Sequence, residues 1–221
     1  MNILLIAGHG AGDPGAIGNG FKEADLTREL AKLIAPKLNK YCNIATYDYT
    51  RDCYQDSKAG KAPNWKAFDY VVELHFNSFG NSNAYGSEIL IDESESAYTV
   101  EDLILKNLSN LGFYNRGVKR RNDLLNMNLC TNAGTSYALI ETCFISNASD
   151  MANYQSKKES VAEVIVNGIV TGFGLHIENI PDVSRETLYR VQVGAFKDRA
   201  NAEQLVKELE SKGYDAFIKE D

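Results

Sequence analysis

The sequence predicts an α/β fold, a twisted and mostly parallel sheet with helices on both faces, followed by a small C-terminal β-α-β module. Two observations carry this prediction. Apolar runs of strand length alternate with helical periodicity as far as residue 177, a pattern typical of a parallel sheet covered on both faces. The periodicity then stops over residues 178–187, and a shorter pattern of its own follows it.

Five segments are predicted to form the strands of the main sheet. They are rich in apolar, β-branched and aromatic residues, and in chain order they are Ile3–Ala7, Ile44–Tyr49, Tyr70–His75, Ser87–Ile91 and Ala138–Glu141. A polar stretch that contains Gly and Pro, residues 51–67, separates the second strand from the third.

Three helices are predicted from apolar residues that recur at helical spacing. The first stripe consists of Leu26, Leu30, Leu33, Ile34, Leu38 and Tyr41, the second of Leu103, Ile104, Leu108 and Leu111, and the third of Val161, Val164, Ile165, Gly168, Ile169 and Gly172.

Residues 1–177 are therefore predicted to form one domain, residues 178–187 a linker and residues 188–221 a separate module. In the module, Tyr189–Ala195 and Tyr214–Ile218 are predicted strands that flank a helix with the stripe Ala202, Leu205, Val206 and Leu209. A segment this short does not bury a core by itself, since chains below roughly 40 residues need a disulfide, a metal or a partner.

The charge balance excludes two classes of partner. The chain has 221 residues with 23 basic and 30 acidic side chains, a net charge of −7. We therefore expect no nucleic-acid binding by phosphate neutralisation and no docking on an anionic membrane. No apolar run approaches the ~18 residues that a membrane helix needs. The N-terminus has no basic leader, so we expect synthesis in the cytoplasm without a signal peptide.

The four cysteines, Cys42, Cys53, Cys130 and Cys143, form no C-x-x-C pair and have no regular spacing. We expect reduced thiols that pack as small apolar side chains. A disulfide or a cysteine metal site is the alternative.

Candidate functional residues stand beside the predicted strands. His9 follows the first strand, while His75 and Glu141 close two others, and Glu23 opens the first helix. In an open α/β sheet, ligands bind outside the carboxyl ends of the strands, so these residues are predicted to converge. Two histidines and one carboxylate form a ligand set for catalytic Zn²⁺, and a further carboxylate can serve as general base.

A Cys-His hydrolase is a competing hypothesis. Cys143 lies two residues past Glu141, so in a continuing strand its side chain would share the face of Glu141. Cys143 would then act as nucleophile with His75, which leaves His9 and Glu23 without a role.

Eight segments resemble the zinc-dependent N-acetylmuramoyl-L-alanine amidases of the Amidase_3 family over roughly residues 2–175. In order they read AGHG (7–10), DPGAIG (13–18), FKEADLTRELA (21–31), YTRD (49–52), VELHFNS (72–78), YGSEILI (85–91), NRGVKRR (115–121) and ALIETCFISNASD (138–150). The resemblance implies that Zn²⁺ is bound by His9, Glu23 and His75, and that Glu141 is the catalytic carboxylate. It also implies hydrolysis of the amide between N-acetylmuramic acid and L-alanine in peptidoglycan, with cell-wall lysis as the outcome.

The sequence departs from the family pattern at two places. Gly60 and Pro63 predict a short or broken helix before the third strand, and the family's usual Met-Pro pair is replaced within residues 134–137 by Gly-Thr-Ser-Tyr. Both changes affect the expected stem-peptide preference. Arg120 and Arg121 are either contacts for stem carboxylates or a solvated basic pair.

The C-terminal segment resembles one repeat of the sporulation-related (SPOR) family, through YRVQVGAF (189–196) and DRANAEQLVKELESKGYDAFI (198–218). The resemblance implies binding to glycan strands of peptidoglycan. The pairing of the two domains resembles bacteriophage endolysins and mother-cell lysis amidases. Since one repeat is half of the usual domain, we expect a homodimer joined through residues 188–221. A non-catalytic wall-binding protein on an amidase scaffold is the alternative function.

Overall fold

The computed structural model describes residues 1–80, 83–95, 98–176, 193–214 and 216–218. The chain divides into two compact units, Met1–Glu178 and Asn179–Asp221. Within the described residues, no helix is both long and apolar enough to cross a bilayer.

The first unit is built on a six-stranded sheet. Its strands are β1 (Asn2–Ala7), β4 (Asn43–Thr46), β5 (Tyr70–Asn77), β6 (Ser87–Asp92), β7 (Asn115–Arg121) and β8 (Ser136–Phe144), and a two-stranded hairpin is formed by β2 (Ile17–Gly18) and β3 (Phe21–Lys22). The strand order is β4-β1-β5-β8-β6-β7. All neighbouring pairs are parallel except β6 with β8. The predicted fold class, a mostly parallel sheet, is therefore confirmed.

Helices cover both faces of this sheet. They are α1 (Glu23–Leu38), α2 (Cys53–Lys58), α3 (Thr99–Asn110), α4 (Leu125–Ala133) and α5 (Ala148–Gly172), with a 3₁₀ turn at Trp65–Ala67. On β1, Ile3 and Leu5 pack in a core with α1, α3 and α5, whereas Leu4 and Ile6 pack in a second core with Trp65 and the helix α4. A central strand that is buried on both faces has to be apolar at every position, and for this reason the apolar run Ile3–Ala7 predicted the strand correctly.

The predicted strands exist but several have different ends. The strand predicted to reach Tyr49 ends at Thr46, and the Asp48 carboxylate then accepts hydrogen bonds from the Thr50 backbone N–H and hydroxyl, which forms a turn. The strands β5 and β8 continue beyond His75 and Glu141 to Asn77 and Phe144. These two residues therefore lie inside their strands rather than at the ends, where the sequence had placed them.

The strand β7, the helix α4 and the short hairpin of β2 and β3 were not anticipated from the sequence. The strand β7 lies at an edge of the sheet and has the polar sequence NRGVKRR, typical of an edge that must not pair with another chain. In the helix α4 only Met127 and Cys130 are buried apolar residues, and the apolar pattern is interrupted by Asn126, Asn128, Thr131 and Asn132. The helix α2, by contrast, is the short helix that Gly60 and Pro63 predict before the third predicted strand. It begins at the N-cap Asp52, whose carboxylate accepts from the backbone N–H groups of Tyr54 and Gln55.

The second unit contains the helix α6 (Arg199–Ser211) at the predicted position. Among residues 193–214 and 216–218 the structure contains no strand, so the predicted strand Tyr214–Ile218 is wrong for the part described. The predicted strand Tyr189–Ala195 lies mostly outside the described residues, as does the linker, and residues 193–195 are not in a strand. A two-stranded sheet is marginal in water, because few ladder hydrogen bonds and little apolar surface hold it together.

Candidate active site

Four predicted site residues lie at one edge of the main sheet. His9 follows the carboxyl end of β1, His75 and Glu141 lie toward the carboxyl ends of β5 and β8, and Glu23 is the first residue of α1. His75 and Glu141 are register partners in the parallel β5–β8 ladder. The structure thus brings together residues that are up to 132 positions apart in sequence (His9 to Glu141).

His9, Glu23 and His75 form a compact group of potential metal ligands. The Nε2 atom of His9 lies 3.1 Å from Oε2 of Glu23, and the Nδ1 atom of His75 lies 2.9 Å from Oε1 of the same carboxylate. One ligand atom from each residue lies within 4.8 Å of the others. Two imidazoles and one carboxylate are a donor set that suits Zn²⁺ with an open coordination position. The residues present therefore fit a metal ion of this type.

The Glu23 carboxylate is buried and held by the backbone. Its Oε2 accepts from the Ala16 N–H at 2.9 Å, and its Oε1 accepts from the Phe76 N–H at 3.0 Å. Burial by itself would raise the pKa of Glu23, but hydrogen bonds from His75 and His9 outweigh it and keep the pKa far below its usual range. Glu23 is therefore ionised, as a metal ligand must be.

Both histidines have a raised pKa in the absence of a metal. Burial lowers the pKa of His75, but its contacts with Glu23 and Glu73 reverse the shift and raise it well above the ordinary value. Burial also lowers the pKa of His9, and contacts with Glu23 and Asp13 again raise it. The negative charges around the two rings are arranged to hold positive charge at this position.

The loop that carries His9 is strained and closely packed. His9 has a φ of 63°, a left-handed conformation that is uncommon for residues other than Gly. The Arg28 guanidinium holds the loop by donating to the backbone oxygens of Gly8 (3.1 Å) and His9 (2.7 Å). A Cβ at Gly8 would lie 2.4 Å from the His75 ring, and one at Gly15, with φ 62°, would lie 2.6 Å from His9. Glycine is required at both positions because the backbone approaches the ligand rings directly.

Glu141 differs from Glu23 in its surroundings. Its Oε2 atom is buried and has no hydrogen-bond partner among the described residues. Burial raises the pKa of Glu141 to about 7, and the nearby positive His75 only partly opposes this effect. A carboxyl group with a pKa near neutrality can both accept and release a proton at physiological pH.

A groove lies beside Glu141. Glu88 on β6 is the ladder partner of Glu141, and its carboxylate accepts from Asn77 Nδ2 and Arg116 Nε, both at 2.8 Å. Asn77, Glu88 and Arg116 line a cavity of about 290 Å³ together with Phe79, Ala84 and Phe144. Because β6 runs antiparallel to β8, the start of β6 reaches the same edge of the sheet as the end of β8.

Arg120 and Arg121 do not lie at this edge. They pair with Ile91 and Asp92 at the end of β6, which is the opposite edge of the sheet. Arg121 forms an ion pair with Asp123, and Arg120 donates to the backbone oxygens of Glu93 and Glu95. This position favours the alternative of a solvated basic pair over contacts with stem carboxylates, and Arg116 is the basic residue of this strand that lines the groove.

The geometry also excludes Cys143 as a partner of His75. The register of β8 against β5 shifts after His75, which indicates a bulge. Cys143 consequently packs with Ile140 in the core on the α1 and α5 side and is fully buried, whereas Glu141 pairs with His75. The expectation that Cys143 shares the face of Glu141 is wrong. Burial raises the pKa of the Cys143 thiol well above its usual value, so it is unreactive.

All four cysteines are free and buried, as expected from the sequence. Burial raises the pKa values of the Cys42, Cys53 and Cys130 thiols as well. None of the four belongs to the group of potential metal ligands found among the described residues.

Two carboxylates beside the histidines were missed in the sequence. Asp13 Oδ2 lies 2.8 Å from His9 Nδ1, and Glu73 Oε1 lies 3.1 Å from His75 Nε2. The signal for Glu73 was present: it is an acidic residue inside an apolar strand, two positions before His75 and therefore on the same face. Asp13 belongs to a loop, and no periodic pattern indicates the direction of its side chain.

The site combines two histidines and a carboxylate at the edge where the parallel strands end. A second carboxyl group, with a pKa near neutrality, lies beside them. This combination defines a metal-dependent type of hydrolase site. The family model described as N-acetylmuramoyl-L-alanine amidase matches residues 3–171. The chain therefore belongs to the Amidase_3 family of N-acetylmuramoyl-L-alanine amidases, a family of metal-dependent hydrolases.

Similar proteins are known from several bacteria. The chain is 31% identical over 225 residues to the sporulation-specific N-acetylmuramoyl-L-alanine amidase of Bacillus subtilis (strain 168), covering 99% of this chain and 84% of that protein. It is 34% identical over 201 residues to the probable autolysin PH of Staphylococcus aureus (strain NCTC 8325 / PS 47), covering 77% of this chain. The aligned part is only 40% of that autolysin.

The fold is also found in a solved structure. The catalytic domain of the CD27L endolysin, which targets Clostridia difficile, superimposes with a TM-score of 0.66 at 24% identity, covering 77% of this chain and 97% of that domain. The SPOR domain model matches residues 183–221, so the match begins before residue 188, the expected start of the module.

Proposed function

We propose that the protein is a zinc-dependent hydrolase of the amide bond between N-acetylmuramic acid and L-alanine in peptidoglycan. One observation supports this proposal most strongly. His75 and Glu141 are partners in one strand ladder, and His9 and Glu23 lie next to the His75 imidazole. Membership of the amidase family provides the reaction class and the substrate class.

The zinc ion would be held by His9 Nε2, His75 Nδ1 and the Glu23 carboxylate. When bound there, zinc supplies Lewis-acid chemistry, which polarises a carbonyl and acidifies a water molecule. The other nitrogen of each ring lies against a carboxylate, Asp13 for His9 and Glu73 for His75. Each carboxylate therefore fixes the orientation of the imidazole ring that it contacts.

Glu141 is the general base and then the general acid. As a carboxylate it takes a proton from the attacking water, and as a carboxylic acid it gives that proton to the nitrogen of the leaving L-alanine. Its pKa of about 7 suits both roles near neutral pH. Its buried Oε2 atom, which has no hydrogen-bond partner among residues 1–80, 83–95, 98–176, 193–214 and 216–218, would make a hydrogen bond to the reacting groups.

The wider role we propose is lysis of the cell wall, by an endolysin or by a lysis autolysin. The similar proteins include a sporulation-specific amidase and a probable autolysin. Residues 188–221 would hold the enzyme on glycan strands, as the SPOR match favours. The protein would be made in the cytoplasm and act on the wall after release.

The experiment is digestion of purified peptidoglycan by the full chain, with and without a chelator. The expected products carry new L-alanine amino groups, detected by amine labelling and hydrolysis, without new reducing sugars. Turbidity falls in parallel. Wall binding without any release of L-alanine amino groups by the zinc-loaded protein would contradict the proposal and favour a non-catalytic wall-binding protein.

A further inference from the structure

Glu73 is a carboxylate buried in the middle of the main sheet. It lies on β5 between Ile6 of β1 and Leu139 of β8, and only 5% of its surface is exposed. A charge in such a place is expensive unless every oxygen has a partner. Its presence in the otherwise apolar segment Tyr70–Leu74 therefore needs a reason beyond packing.

The two oxygens of Glu73 have different partners. Oε2 accepts from Asn126 Nδ2 at 2.9 Å and from the Tyr137 hydroxyl at 2.7 Å, so it is fixed to α4 and β8. Oε1 lies 3.1 Å from Nε2 of His75. Asn126 and Tyr137 are themselves buried, which means that water does not compete for these contacts. One oxygen anchors the carboxylate to the scaffold, and the other is directed to a single imidazole nitrogen.

Both ring nitrogens of His75 face a carboxylate, Nε2 that of Glu73 at 3.1 Å and Nδ1 that of Glu23 at 2.9 Å. A nitrogen that binds a metal carries no proton, so with Nδ1 as the ligand atom the remaining ring proton lies on Nε2. The Glu73 carboxylate can only accept, and it therefore favours this tautomer. Asp13 makes the same kind of contact with His9 at 2.8 Å, but its side chain is 41% exposed, so water can replace it.

We propose that Glu73 is a positioning residue of the metal site, anchored by Asn126 and Tyr137, which sets the tautomer and the orientation of His75. The inference rests on the proposed function in one respect, namely that His9, Glu23 and His75 bind a metal ion. It assigns Glu73 no contact with substrate. Outer carboxylates of this kind typically change metal affinity or activity about 10- to 100-fold when they are removed.

The first test is the zinc affinity of Glu73→Gln, measured by competition with a chromogenic chelator and without substrate. Glutamine keeps an acceptor oxygen but weakens the bond to His75. Asn126 Oδ1 has no hydrogen-bond partner within the part of the chain that the structure describes, so after a rotation of its amide it can accept from the new Gln side chain. We expect zinc binding to weaken about 10- to 100-fold, while the metal-free variant stays folded and unfolds at the same or a higher temperature, since a buried charge is gone.

Glu101→Gln is the matched control. It neutralises another buried carboxyl, which accepts from the Tyr70 hydroxyl at 2.6 Å and is not among the contacts of His75. A purely structural role for Glu73 predicts that neither variant loses zinc affinity. The positioning role predicts weakened zinc binding in Glu73→Gln and near wild-type zinc binding in Glu101→Gln. Unchanged zinc affinity in Glu73→Gln, or an equal loss in both variants, would overturn the inference.

The second test needs no variant. The chain has only three histidines, so long-range ¹H–¹⁵N correlation spectra of the zinc-loaded protein resolve each ring. We expect His75 to carry its proton on Nε2 and to bind zinc through Nδ1, and the opposite tautomer would refute the proposal. A zinc-loaded protein with this tautomer that fails to hydrolyse peptidoglycan would contradict the proposed function and leave the role of Glu73 intact.

Discussion

His75 and Glu141 are direct partners in the parallel ladder between β5 and β8. Residues that are opposite each other in a ladder project their side chains to the same face, at a spacing fixed by the backbone hydrogen bonds. The proposed metal ligand and the proposed general base are therefore held side by side on two hydrogen-bonded central strands. The other two ligands come from a loop and a helix terminus, which pack against this pair.

We expect Glu141→Gln to abolish most of the hydrolysis of peptidoglycan while its zinc content stays near that of the wild type. Loss of a general base typically costs roughly 10²- to 10⁴-fold in rate, and Glu141 is not part of the ligand group. The measurement is amine release together with metal analysis of the same sample. Glu101→Gln is the control, because it removes a buried carboxyl that binds Tyr70 at 2.6 Å on another element. If the Glu141→Gln variant keeps most of the wild-type activity, Glu141 is not the general base.

Chelation should inactivate the enzyme, and thiol alkylation should not. All four cysteines are buried, with thiol pKa values raised by burial, so N-ethylmaleimide should react slowly with the folded protein. Activity should return when zinc is added to the chelated sample. Activity that survives chelation but is lost on alkylation at matched concentration would point to a cysteine nucleophile.

The metal-free protein should lose stability as the pH rises from about 4.5 to about 7, because of Glu141. A carboxyl whose folded-state pKa is raised binds a proton on folding, so the free energy of unfolding decreases between the unfolded and the folded pKa. The loss is complete above pH 7 and is on the order of 3 kcal/mol at most, for a shift of two to three units.

Glu141→Gln removes this titration, so the metal-free variant should be more stable than the wild type at pH 8 and equal to it near pH 5. Urea unfolding at the two pH values gives the difference. Glu23 has a lowered pKa and contributes the opposite dependence at lower pH, but it is present in both proteins and cancels. Equal stability differences at both pH values would contradict the assigned pKa.

Gly15→Ala should weaken metal binding, whereas Gly12→Ala should not. The new Cβ at position 15 would lie 2.8 Å from Glu23 Oε2 and 2.6 Å from His9, while a Cβ at position 12 meets nothing within 4 Å. Both glycines have a positive φ, so both variants should lose stability, by about 1–2 kcal/mol. The comparison separates backbone strain from displacement of the ligands. Equal zinc affinities in the two variants would show that Gly15 is needed only for the turn.

We expect the full chain to form a homodimer through residues 188–221. Helix α6 has a partly exposed apolar stripe at Ala202, Leu205, Val206 and Leu209. Four large apolar side chains that precede or follow this helix in the chain are exposed, namely Val193, Phe196, Tyr214 and Phe217, and exposed apolar surface often marks an interface. Light scattering on the full chain and on a form that ends at Glu178 tests this. A monomeric full chain at micromolar concentration, or a dimeric truncated form, would refute it.

The sequence determined most of the central sheet and the identity of the candidate site residues. Buried strands such as Asn2–Ala7 have to be apolar on both faces, and that requirement is visible without coordinates. His9, Glu23, His75 and Glu141 could be nominated because the carboxyl ends of parallel strands meet at one edge. The sequence did not predict the polar edge strand β7 or the helix α4, because neither element needs a regular apolar pattern.

Only the tertiary structure decided which side chains meet. The bulge in β8 turns Cys143 into the core, and the antiparallel placement of β6 carries Arg116 to the site and Arg121 away from it. Neither a bulge nor a strand direction has a signature in one sequence, because both depend on hydrogen bonds to a neighbouring strand. Residue types and local periodicity are properties of the chain itself. The contacts of His75 with Glu73 and Glu141 come from register across the sheet, which exists only after the strands have paired.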